Sequence, residues 1–478
     1  MKNSYNRLHL LALVLFPIAV PALALWVLEK YVYMDRPVIY LEYFLISAVI
    51  LYSPRLVSIF CLTPLIVMDL FVSMSPGFHF SPDGILDALG GIYALDVVSV
   101  LQFAFPVLLG LACLNLVLWL LSRNPGAVSS GKVSVSVVMV TLMVLTYTLD
   151  FFWAPNNSRR SEVAATTTNI GGSVLTELYR SYQASSSRSI VSWDNVIDSA
   201  TSGIFDELAA GSAGTVSHHL MLIVVESLSL FKNPDYNGDL FSVLSQDNTI
   251  VGKFDVMTGA VAFRGATVSG ELRELCQLEF LGTIPPKGVL PAERCLPQML
   301  RNRGYNTISF NGFYPSFFRT GGWYEELGFE RRLFMEELGG TRRNADLCGS
   351  TFRAVCDDVV AQRILETKLA NSGKKTFFYW LTFNGHLPVW VPPGVHPLYD
   401  CRDHVLAADN EAICDLFQVR TLLFFSIRDV IKSSLDIPTT YIIVGDHMAP
   451  FLDKNLRGLL DDKKVPFIIL TPKAEQQE

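Results

Sequence analysis

The sequence predicts two architectures in one chain: five N-terminal transmembrane α-helices, followed by an α/β domain with a mostly parallel central sheet. Half of the 478 residues are hydrophobic and the mean hydropathy is +0.34, although 17% of the residues are charged. The hydrophobic excess lies in the first third of the chain. In the second half, apolar runs of strand length alternate with helical stretches, which is typical of a parallel sheet covered by helices.

Five apolar segments are long enough, or nearly so, to cross the hydrocarbon layer of a bilayer, which takes about 20 helical residues. Lys and Arg are more frequent in the loops on one side of these spans, and this bias places the N-terminus in the cytoplasm. An odd number of spans then exports everything after about residue 154. No clean cleavage site follows the first span, so we expect it to remain as an anchor. The spans lie near 8–28, 37–53, 56–75, 98–122 and 134–153.

Glu42 lies inside the second predicted span. A carboxylate at this position either sits near the outer interface or lines a polar cavity between helices. Both readings stay open from the sequence, and they make this span the weakest of the five.

The exported part is expected to divide in two, which gives three regions for the whole chain: 1–153, 154–215 and 216–478. The middle region is rich in Ser, Thr, Asn and Ala, and Ile170 to Tyr182 and Trp193 to Leu208 have helical spacing. We interpret it as a juxtamembrane connector. In the last region, strands are predicted at 219–225, 307–310, 376–382, 439–444 and 465–470, and helices at 291–303, 353–370 and 410–434.

Cysteine positions agree with export. Cys61 and Cys113 fall in predicted spans, where each most simply acts as a small apolar residue. An even number of cysteines in an oxidising compartment usually means disulfides, and sequential pairing would close three short loops. A zinc-thiolate site is the alternative, but the chain has no Cys-x-x-Cys pair. The exported cysteines are Cys276, Cys295, Cys348, Cys356, Cys401 and Cys414.

Two apolar strands in the last region end in residues that bind metals. Glu226 follows 219–225, and Asp446-His447 follows 439–445. Parallel α/β sheets bind ligands at the carboxyl ends of their strands, so these side chains are expected to converge. Helix capping is the ordinary alternative for each acid taken alone.

Thr267 is the candidate nucleophile. It follows Gly265, which allows close backbone approach, and a helical segment begins near it. A hydroxyl at a helix N-terminus lies where amide donors stabilise a phosphate, and metal coordination would lower its pKa. Ser269 is a weaker candidate, and an ordinary loop threonine is the alternative. Glu226, Thr267, Asp446 and His447 together offer three oxygens and one nitrogen, which suits Zn²⁺ or Mn²⁺.

Several further residues have a chemical case. His386 follows the strand at 376–382 and an Asn-Gly turn, so it is expected at the same sheet edge, either as a proton-transfer group or as a structural turn histidine. His396 and His404 lie in a Pro-rich loop and are candidates for a second metal. Arg319 is either a phosphate clamp or a solvated surface charge.

Together with five membrane spans, Glu226, Gly265-Ala-Thr267, His386 and Gly445-Asp446-His447 resemble a known family. This is the membrane-anchored phosphoethanolamine and phosphoglycerol transferases of the alkaline phosphatase (sulfatase-like) superfamily, which includes lipid A phosphoethanolamine transferases and lipoteichoic acid synthases. The resemblance implies one catalytic divalent metal on the acid, the threonine and the Asp-His pair. It also implies that the threonine takes a headgroup from a membrane phospholipid, releases diacylglycerol and passes the headgroup to an acceptor hydroxyl.

Secondary matches separate the branches of this family. Thr267 and Glu271 are similar to the Thr-x-x-x-Glu pattern of the lipoteichoic acid synthases, and Phe318-Arg319 is similar to part of their substrate stretch. This chain departs from them at Asn311, where they have His. Its paired-looking cysteines resemble the phosphoethanolamine branch, which implies a Gram-negative inner membrane enzyme with a periplasmic catalytic domain. The implied substrate contacts are Glu271, Asn311, Phe318, Arg319, His386 and His396.

A sulfatase-type signature around Cys295 is the weaker interpretation of that segment. Cys295-Leu-Pro-Gln-Met-Leu-Arg301 has Met299 where Cys-x-Pro-x-Arg requires Arg, so a disulfide cysteine is favoured.

The sequence therefore predicts a transferase of phosphoethanolamine, or as the alternative of phosphoglycerol, from phosphatidylethanolamine or phosphatidylglycerol to an envelope glycan or a lipid A-type acceptor. Nucleic acid is not an expected partner. A catalytically silent envelope scaffold or sensor is the alternative from another class.

Overall fold

The structure is a computed structural model that describes most of the second half of the chain and part of the first. The described residues are 2–34, 36–37, 39–50, 61–78, 112, 171–176, 178–179, 197–211, 218–237, 240–280, 284–285, 287–339, 347–349, 352–391 and 410–473. They form two compact units. The first contains the described residues up to 179 together with Phe451–Asn455, and the second contains those from 197 to 450 and from 456 onward.

The longest continuously described helices of the first unit are α1 (Lys2–Leu28), α2 (Glu42–Ile50) and α3 (Thr63–Met74), and residues 174–176 and 178–179 are also helical. A 3₁₀ turn follows at Ser75–Phe78, and two short strands, β1 (Ile39–Tyr40) and β2 (Gly171–Gly172), pair in parallel. Pro64 in the first turn of α3 fits its start, because that turn has no intrahelical partner for the missing N–H.

Among the described helices, none combines the length and the apolarity that a membrane crossing requires. Of the predicted spans, 98–122 apart from residue 112, and all of 134–153, lie outside the described residues. The five-span topology stays a prediction.

Polar groups lie inside the first unit while apolar side chains lie on its surface. Asp69 is fully buried and accepts hydrogen bonds from Arg36, Tyr43 and Ser73. Glu42 accepts hydrogen bonds from the Ser173 hydroxyl and from two backbone amides after it. Large apolar side chains are exposed on α1, α2 and α3: Leu15, Val20, Leu23, Trp26, Val27, Leu28, Leu45, Val49, Val67 and Phe71.

The second unit is built around a seven-stranded sheet. The strands are β3 (His219–Val225), β4 (Phe254–Ala262), β5 (Asn306–Asn311), β6 (Arg331–Leu333), β9 (Thr376–Leu381), β10 (Thr439–Gly445) and β11 (Lys464–Pro472). Their order in the sheet is β4-β11-β10-β3-β9-β5-β6, and all neighbours pair in parallel except β10 with β11 and β11 with β4. A separate antiparallel pair consists of β7 (Leu347–Cys348) and β8 (Ala354–Val355).

Helices cover both faces of this sheet. Every residue of β3, β9 and β10 is buried, as expected for central parallel strands covered on both sides. The further helices are α4 (Ser202–Ala210), α5 (Ser242–Ser245), α6 (Asn248–Lys253), α7 (Thr267–Cys276), α8 (Leu296–Arg301), α9 (Thr320–Glu326), α10 (Asp357–Ala370), α11 (Glu411–Lys432) and α12 (Lys454–Leu459). The main core lies between one face of the sheet and α10 and α11, while α7 and α9 contact the other face through Glu271, Tyr324 and Tyr379.

The predicted sheet is confirmed, with three differences. The strand at 465–470 runs antiparallel, and two strands of the sheet, β4 and β6, have no counterpart among the predicted strands. The predicted helix from Trp193 to Leu208 begins only at Ser202 within the described residues. The Ser199 amide donates to the Ser202 hydroxyl, and the Thr201 hydroxyl donates to the Glu274 carbonyl in α7, so one local and one tertiary side-chain hydrogen bond hold the chain before that point.

Two of the three sequential disulfides are present: Cys276–Cys295 and Cys348–Cys356. Cys414 is also disulfide-bonded, whereas Cys401 lies outside the described residues. The third pairing therefore stays a prediction.

Lys368 places a charged group in the core. The side chain is fully buried in α10, and its amine donates to the Ser434 hydroxyl at 2.6 Å and to the Tyr441 hydroxyl at 2.5 Å. Burial lowers the pKa of this amine to about 7. The folded state therefore releases its proton near pH 7, while the unfolded chain holds it to about pH 10.4.

Replacing Lys368 with Met is expected to stabilise the protein at neutral pH. Below about pH 7 Lys368 is charged in both states, and the buried charge lowers the free energy of unfolding by its full amount. Between pH 7 and about pH 10 the free energy of unfolding rises with pH, because only the unfolded state still binds the proton. We expect a gain of about 1–3 kcal/mol at pH 7, less than the pKa shift alone implies because two hydrogen bonds are lost. Thermal unfolding of both proteins at several pH values measures it. A gain that is independent of pH would contradict the argument.

Candidate active site

Strand register brings the two predicted acids together. Val225 of β3 pairs with Gly445 of β10, so the next residues, Glu226 and Asp446, leave the sheet side by side. Leu381 of β9 pairs with Val224, and the chain after β9 therefore emerges at the same edge. The sequence folds this way because three apolar strands end together where their first polar residues begin.

Two hydroxyl groups orient the Glu226 carboxylate, one from the next residue and one from Thr267. Its Oε1 accepts from the Ser227 hydroxyl at 2.9 Å, and its Oε2 accepts from the Thr267 hydroxyl at 3.1 Å. The Glu226 amide donates to the Thr382 hydroxyl at 3.1 Å, which links β3 to the end of β9. Glu226 is only 5% exposed.

Asp446 and His447 occupy the end of β10. Asp446 Oδ1 accepts from the backbone amides of Ser227 and His447, at 2.8 and 2.6 Å, while its Oδ2 is buried without a hydrogen-bond partner. His447 Nδ1 lies 2.8 Å from the Met448 carbonyl. Since a carbonyl can only accept, we assign the proton to Nδ1, which leaves the Nε2 lone pair facing the site.

Thr267 is the first residue of α7. Its Oγ1 lies 3.1 Å from Glu226 Oε2 and 3.2 Å from His447 Nε2. Gly265 adopts a left-handed φ of +75°, which permits the turn into the helix, and Ala266 supplies no capping side chain. Amide donors at the start of α7 are thus available to an incoming anion. The other candidate hydroxyl, Ser269 Oγ, packs towards Gly265 and makes no hydrogen bond.

The side chains at this point fit a divalent metal ion. Ligand atoms of Glu226, Asp446 and His447 all lie within 4.8 Å of one another, and the Thr267 hydroxyl joins them. Asp446 Oδ2 is buried, makes no hydrogen bond and lies 3.3 Å from His447 Nε2, a position from which both atoms could bind one ion. Three oxygens and one imidazole nitrogen form a ligand set that both Zn²⁺ and Mn²⁺ accept.

Electrostatics also favour a cation here. Burial and, to a smaller extent, the charge of Glu226 raise the pKa of Asp446 to about 7. Burial lowers the pKa of His447, but the carboxylates of Asp446 and Glu226 outweigh it, so the net pKa is raised. Two carboxylates buried together are costly unless a positive charge accompanies them, and a divalent ion supplies that charge.

His386 lies in the turn after β9. Its ring stacks on Phe383 and meets Phe352 edge-on, and its Nδ1 lies 2.8 Å from the Leu387 carbonyl. Burial lowers the pKa of His386 to about 4, with a smaller contribution from His447. The imidazole is therefore neutral at pH 7, with its proton on Nδ1 and Nε2 able to accept a proton.

Asp357 holds the turn after β9 in place. Its carboxylate accepts from the backbone amides of Phe383 and Asn384, and the Asn384 side chain accepts from the Asp357 amide. The Cys348–Cys356 disulfide immediately precedes Asp357. The start of α10 thus fixes the segment that carries His386.

Glu271 is buried rather than open to solvent. Its Oε1 accepts from the hydroxyls of Tyr324 and Tyr379, and the residue has 0% relative exposure. Burial raises the pKa of this carboxyl to about 8. These two hydrogen bonds link Glu271 of α7 to Tyr324 of α9 and to Tyr379 of β9, so Glu271 holds the three elements together.

Among the other implied substrate contacts, Asn311 pairs with Leu381 of β9 and so lies at the same edge of the sheet as the candidate metal ligands. Asn311 is 4% exposed at the end of β5, where its side chain accepts from the Phe313 amide. Arg319 donates to the Pro285 carbonyl at 2.8 Å. Phe318 and Arg319 both have a left-handed φ, of 46° and 52°, which is a strained conformation for non-glycine residues. His396 and His404 lie outside the described residues.

Comparison with protein families identifies this fold. Residues 246–478 match the Sulfatase family model, and the second unit, which contains most of these residues, has an α/β architecture with a mostly parallel sheet. Among curated proteins, none matches this chain.

Several solved structures are similar to this chain at low sequence identity. The integral membrane lipooligosaccharide phosphoethanolamine transferase A from Neisseria meningitidis is 12% identical with a TM-score of 0.50, over 92% of this chain and 82% of that one. The lipoteichoic acid synthase LtaP from Listeria monocytogenes is 16% identical with a TM-score of 0.40, over 54% of this chain and 66% of that one. The phosphoglycerol transferase GacH from Streptococcus pyogenes is 18% identical with a TM-score of 0.40, over 56% and 72%.

Proposed function

We propose that this chain is a metal-dependent transferase that moves a phospholipid headgroup, with phosphoethanolamine preferred, to an envelope glycan or lipid A-type acceptor. The observation that carries the proposal is the position of the Thr267 hydroxyl. It lies at the start of a helix, 3.1 Å from Glu226 Oε2 and 3.2 Å from His447 Nε2. A hydroxyl held among metal ligands beside free helix amides is suited to attack phosphorus.

The reaction has two displacements. In the first, Thr267 Oγ1 gives up its proton and attacks the donor phosphorus, the bond from phosphorus to the diacylglycerol oxygen breaks, and that oxygen takes up one proton. In the second, the acceptor hydroxyl gives up its proton and attacks the phosphoryl group, the bond from phosphorus to Thr267 Oγ1 breaks, and Oγ1 regains one proton. In this proposal His386 Nε2, which is unprotonated at neutral pH, would receive the acceptor's proton.

Glu226, Thr267, Asp446 and His447 would hold the metal. A bound Zn²⁺ or Mn²⁺ would lower the pKa of the Thr267 hydroxyl and offset the charge of the phosphoryl oxygens. The unpartnered Asp446 Oδ2 supports this ligand set.

Two features support a lipid donor and an exported site. The first unit exposes large apolar side chains on α1 to α3 and buries Asp69 with Arg36, an arrangement that suits an apolar solvent. Disulfides at Cys276–Cys295 and Cys348–Cys356 suit an oxidising compartment. We therefore place the protein in a bacterial inner membrane, with a multi-pass anchor, a cytoplasmic N-terminus and a periplasmic catalytic domain.

Phosphoglycerol transfer is the second candidate. Thr267 and Glu271 have the spacing found in lipoteichoic acid synthases. Burial of Glu271 between Tyr324 and Tyr379 removes it from direct contact with a headgroup, so this pattern does not by itself favour glycerol.

Headgroup release by the purified full-length protein tests the proposal. Phosphatidylethanolamine and phosphatidylglycerol with fluorescent acyl chains are supplied separately, and the diacylglycerol product is measured by chromatography. We expect release from phosphatidylethanolamine, its loss after chelation, and its recovery when Zn²⁺ or Mn²⁺ is added back, because the buried carboxylates need a divalent partner.

Each other outcome assigns a different function. Release from phosphatidylglycerol alone would establish the second candidate. No release from either lipid by metal-loaded protein would support the silent scaffold. Mass spectrometry of envelope glycans and lipid A from cells with and without the gene would identify the acceptor by the mass of the added headgroup.

A further inference from the structure

Arg273 connects the nucleophile helix to the strand that supplies the metal ligands. It lies in α7, six residues after Thr267, and its side chain reaches the end of β10. Nη2 donates to the Gly445 carbonyl at 2.6 Å, and Nη1 donates to the Asp446 carbonyl at 3.1 Å. These are successive carbonyls at the point where β10 stops being a strand.

The arginine is buried and its charge is balanced within α7. Arg273 is 2% exposed, and its Nε donates to Glu274 Oε1 at 2.6 Å. Glu274 is in turn held by Thr201, whose amide donates to Oε2 and whose hydroxyl donates to the Glu274 carbonyl. With its rotamer fixed on both sides, the guanidinium presents two donors in a defined direction.

We propose that Arg273 is a positioning residue that sets the distance between Thr267 and the Asp446-His447 pair. This inference rests on the proposed metal site and the transfer reaction. Thr267 and Arg273 belong to one short helix. Arg273 donates hydrogen bonds to the Gly445 and Asp446 carbonyls, so the end of β10 can move away from this helix only if both hydrogen bonds break. Arg273 itself touches neither metal nor substrate.

The planar guanidinium is needed for this role. One donor group reaches each carbonyl while Nε keeps its bond to Glu274, which uses three separate nitrogens. The single ammonium of lysine cannot reproduce that fork, so Arg273→Lys retains the charge but not the geometry.

Four variants of the full-length protein separate positioning from simple stability. They are Arg273→Lys, Arg273→Met, the double variant Arg273→Met/Glu274→Gln, and the control Arg264→Met, which removes an arginine that is half-exposed and paired with Glu279. The double variant avoids leaving Glu274 charged and unpaired in the interior. The readouts are Co²⁺ affinity, the visible absorption spectrum of the Co²⁺ form, kcat and KM for headgroup release, and circular dichroism.

We expect all three Arg273 variants to bind Co²⁺ about 10- to 100-fold more weakly, with an altered visible spectrum. We also expect a lower kcat with KM nearly unchanged, whereas Arg264→Met should behave like the unmodified protein. Folded Arg273→Lys or double-variant protein with unaltered affinity, spectrum and kcat would overturn the inference.

Co²⁺ binding tests the role of Arg273 separately from the transfer reaction. If the unmodified protein released no headgroup but the Arg273 variants still bound Co²⁺ more weakly, only the reaction would be rejected. If the unmodified protein were active and the Arg273 variants bound Co²⁺ with unaltered affinity, only the role of Arg273 would be rejected. Unmodified protein that binds no Co²⁺ would overturn both.

Discussion

Replacing Thr267 with Ala is expected to reduce headgroup release by at least about 10³-fold while leaving the protein folded. The change removes the oxygen that lies 3.1 Å from Glu226 and 3.2 Å from His447, and with it the atom that would form the bond to phosphorus. Thr267 is only half-buried, so the loss of its hydroxyl should cost little stability. The measurement is diacylglycerol release from fluorescent phosphatidylethanolamine, with circular dichroism as the check on folding.

Ser269→Ala is the matched control. Ser269 lies two residues further along the same helix, but its hydroxyl packs towards Gly265 and takes no part in the ligand set. We expect near-normal release from this variant. Thr267→Ser should retain part of the activity because it keeps a hydroxyl at the same position.

The covalent intermediate gives a second, independent readout. Intact-protein mass spectrometry after incubation with the donor alone should show one added headgroup on the unmodified protein and none on Thr267→Ala. Loss of release from Ser269→Ala with normal release from Thr267→Ala would assign the nucleophile to the serine and contradict the proposed mechanism.

The metal set was predictable because its signals are local. Glu226 and Asp446 are each the first acid after an apolar strand, and parallel strands end at one edge, so no distant contact had to be known. Thr267 was predictable from the Gly265 turn and the helix start. The same logic identified β3, β9 and β10, whose residues are all buried.

Other features depend on tertiary contacts and left no local signal. Arg273 reads as an ordinary charged helix residue, and its role appears only when β10, about 170 residues later in the chain, lies against α7. Glu271 matches a substrate pattern by spacing, yet Tyr324 and Tyr379 bury it. The edge strand β4 was missed because most of its residues are exposed or half-buried and Gly259 interrupts its apolar pattern.

Gly270 is a residue at which α7 packs directly against the backbone at the end of β10. A Cβ atom at this position would lie 2.7 Å from the Asp446 Cα and 2.9 Å from its carbonyl oxygen, both backbone atoms that cannot turn aside. Replacing Gly270 with Ala therefore has to push the helix away from the end of β10. The Thr267 hydroxyl moves with the helix, so its separation from His447 Nε2 must change.

We expect Gly270→Ala to lower headgroup release by about 10²-fold, because a displacement of about 1 Å at a reacting group has an effect of this size. Overpacking should also destabilise the protein by about 1–3 kcal/mol. Both are measured on one preparation, by the release assay and by thermal unfolding. Replacing Gly with Ala within a helix usually has the opposite effect and raises the free energy of unfolding by about 0.5–1 kcal/mol.

Gly252→Ala supplies that usual case for comparison. Gly252 lies in α6, and a Cβ there would meet nothing within 4 Å, so the substitution should be neutral or stabilising and leave release unchanged. If Gly270→Ala behaved like Gly252→Ala in both assays, α7 would have room to move without consequence at the metal set. The close approach of helix and strand would then not be what fixes the nucleophile, and a separation set by Arg273 would lose its structural basis as well.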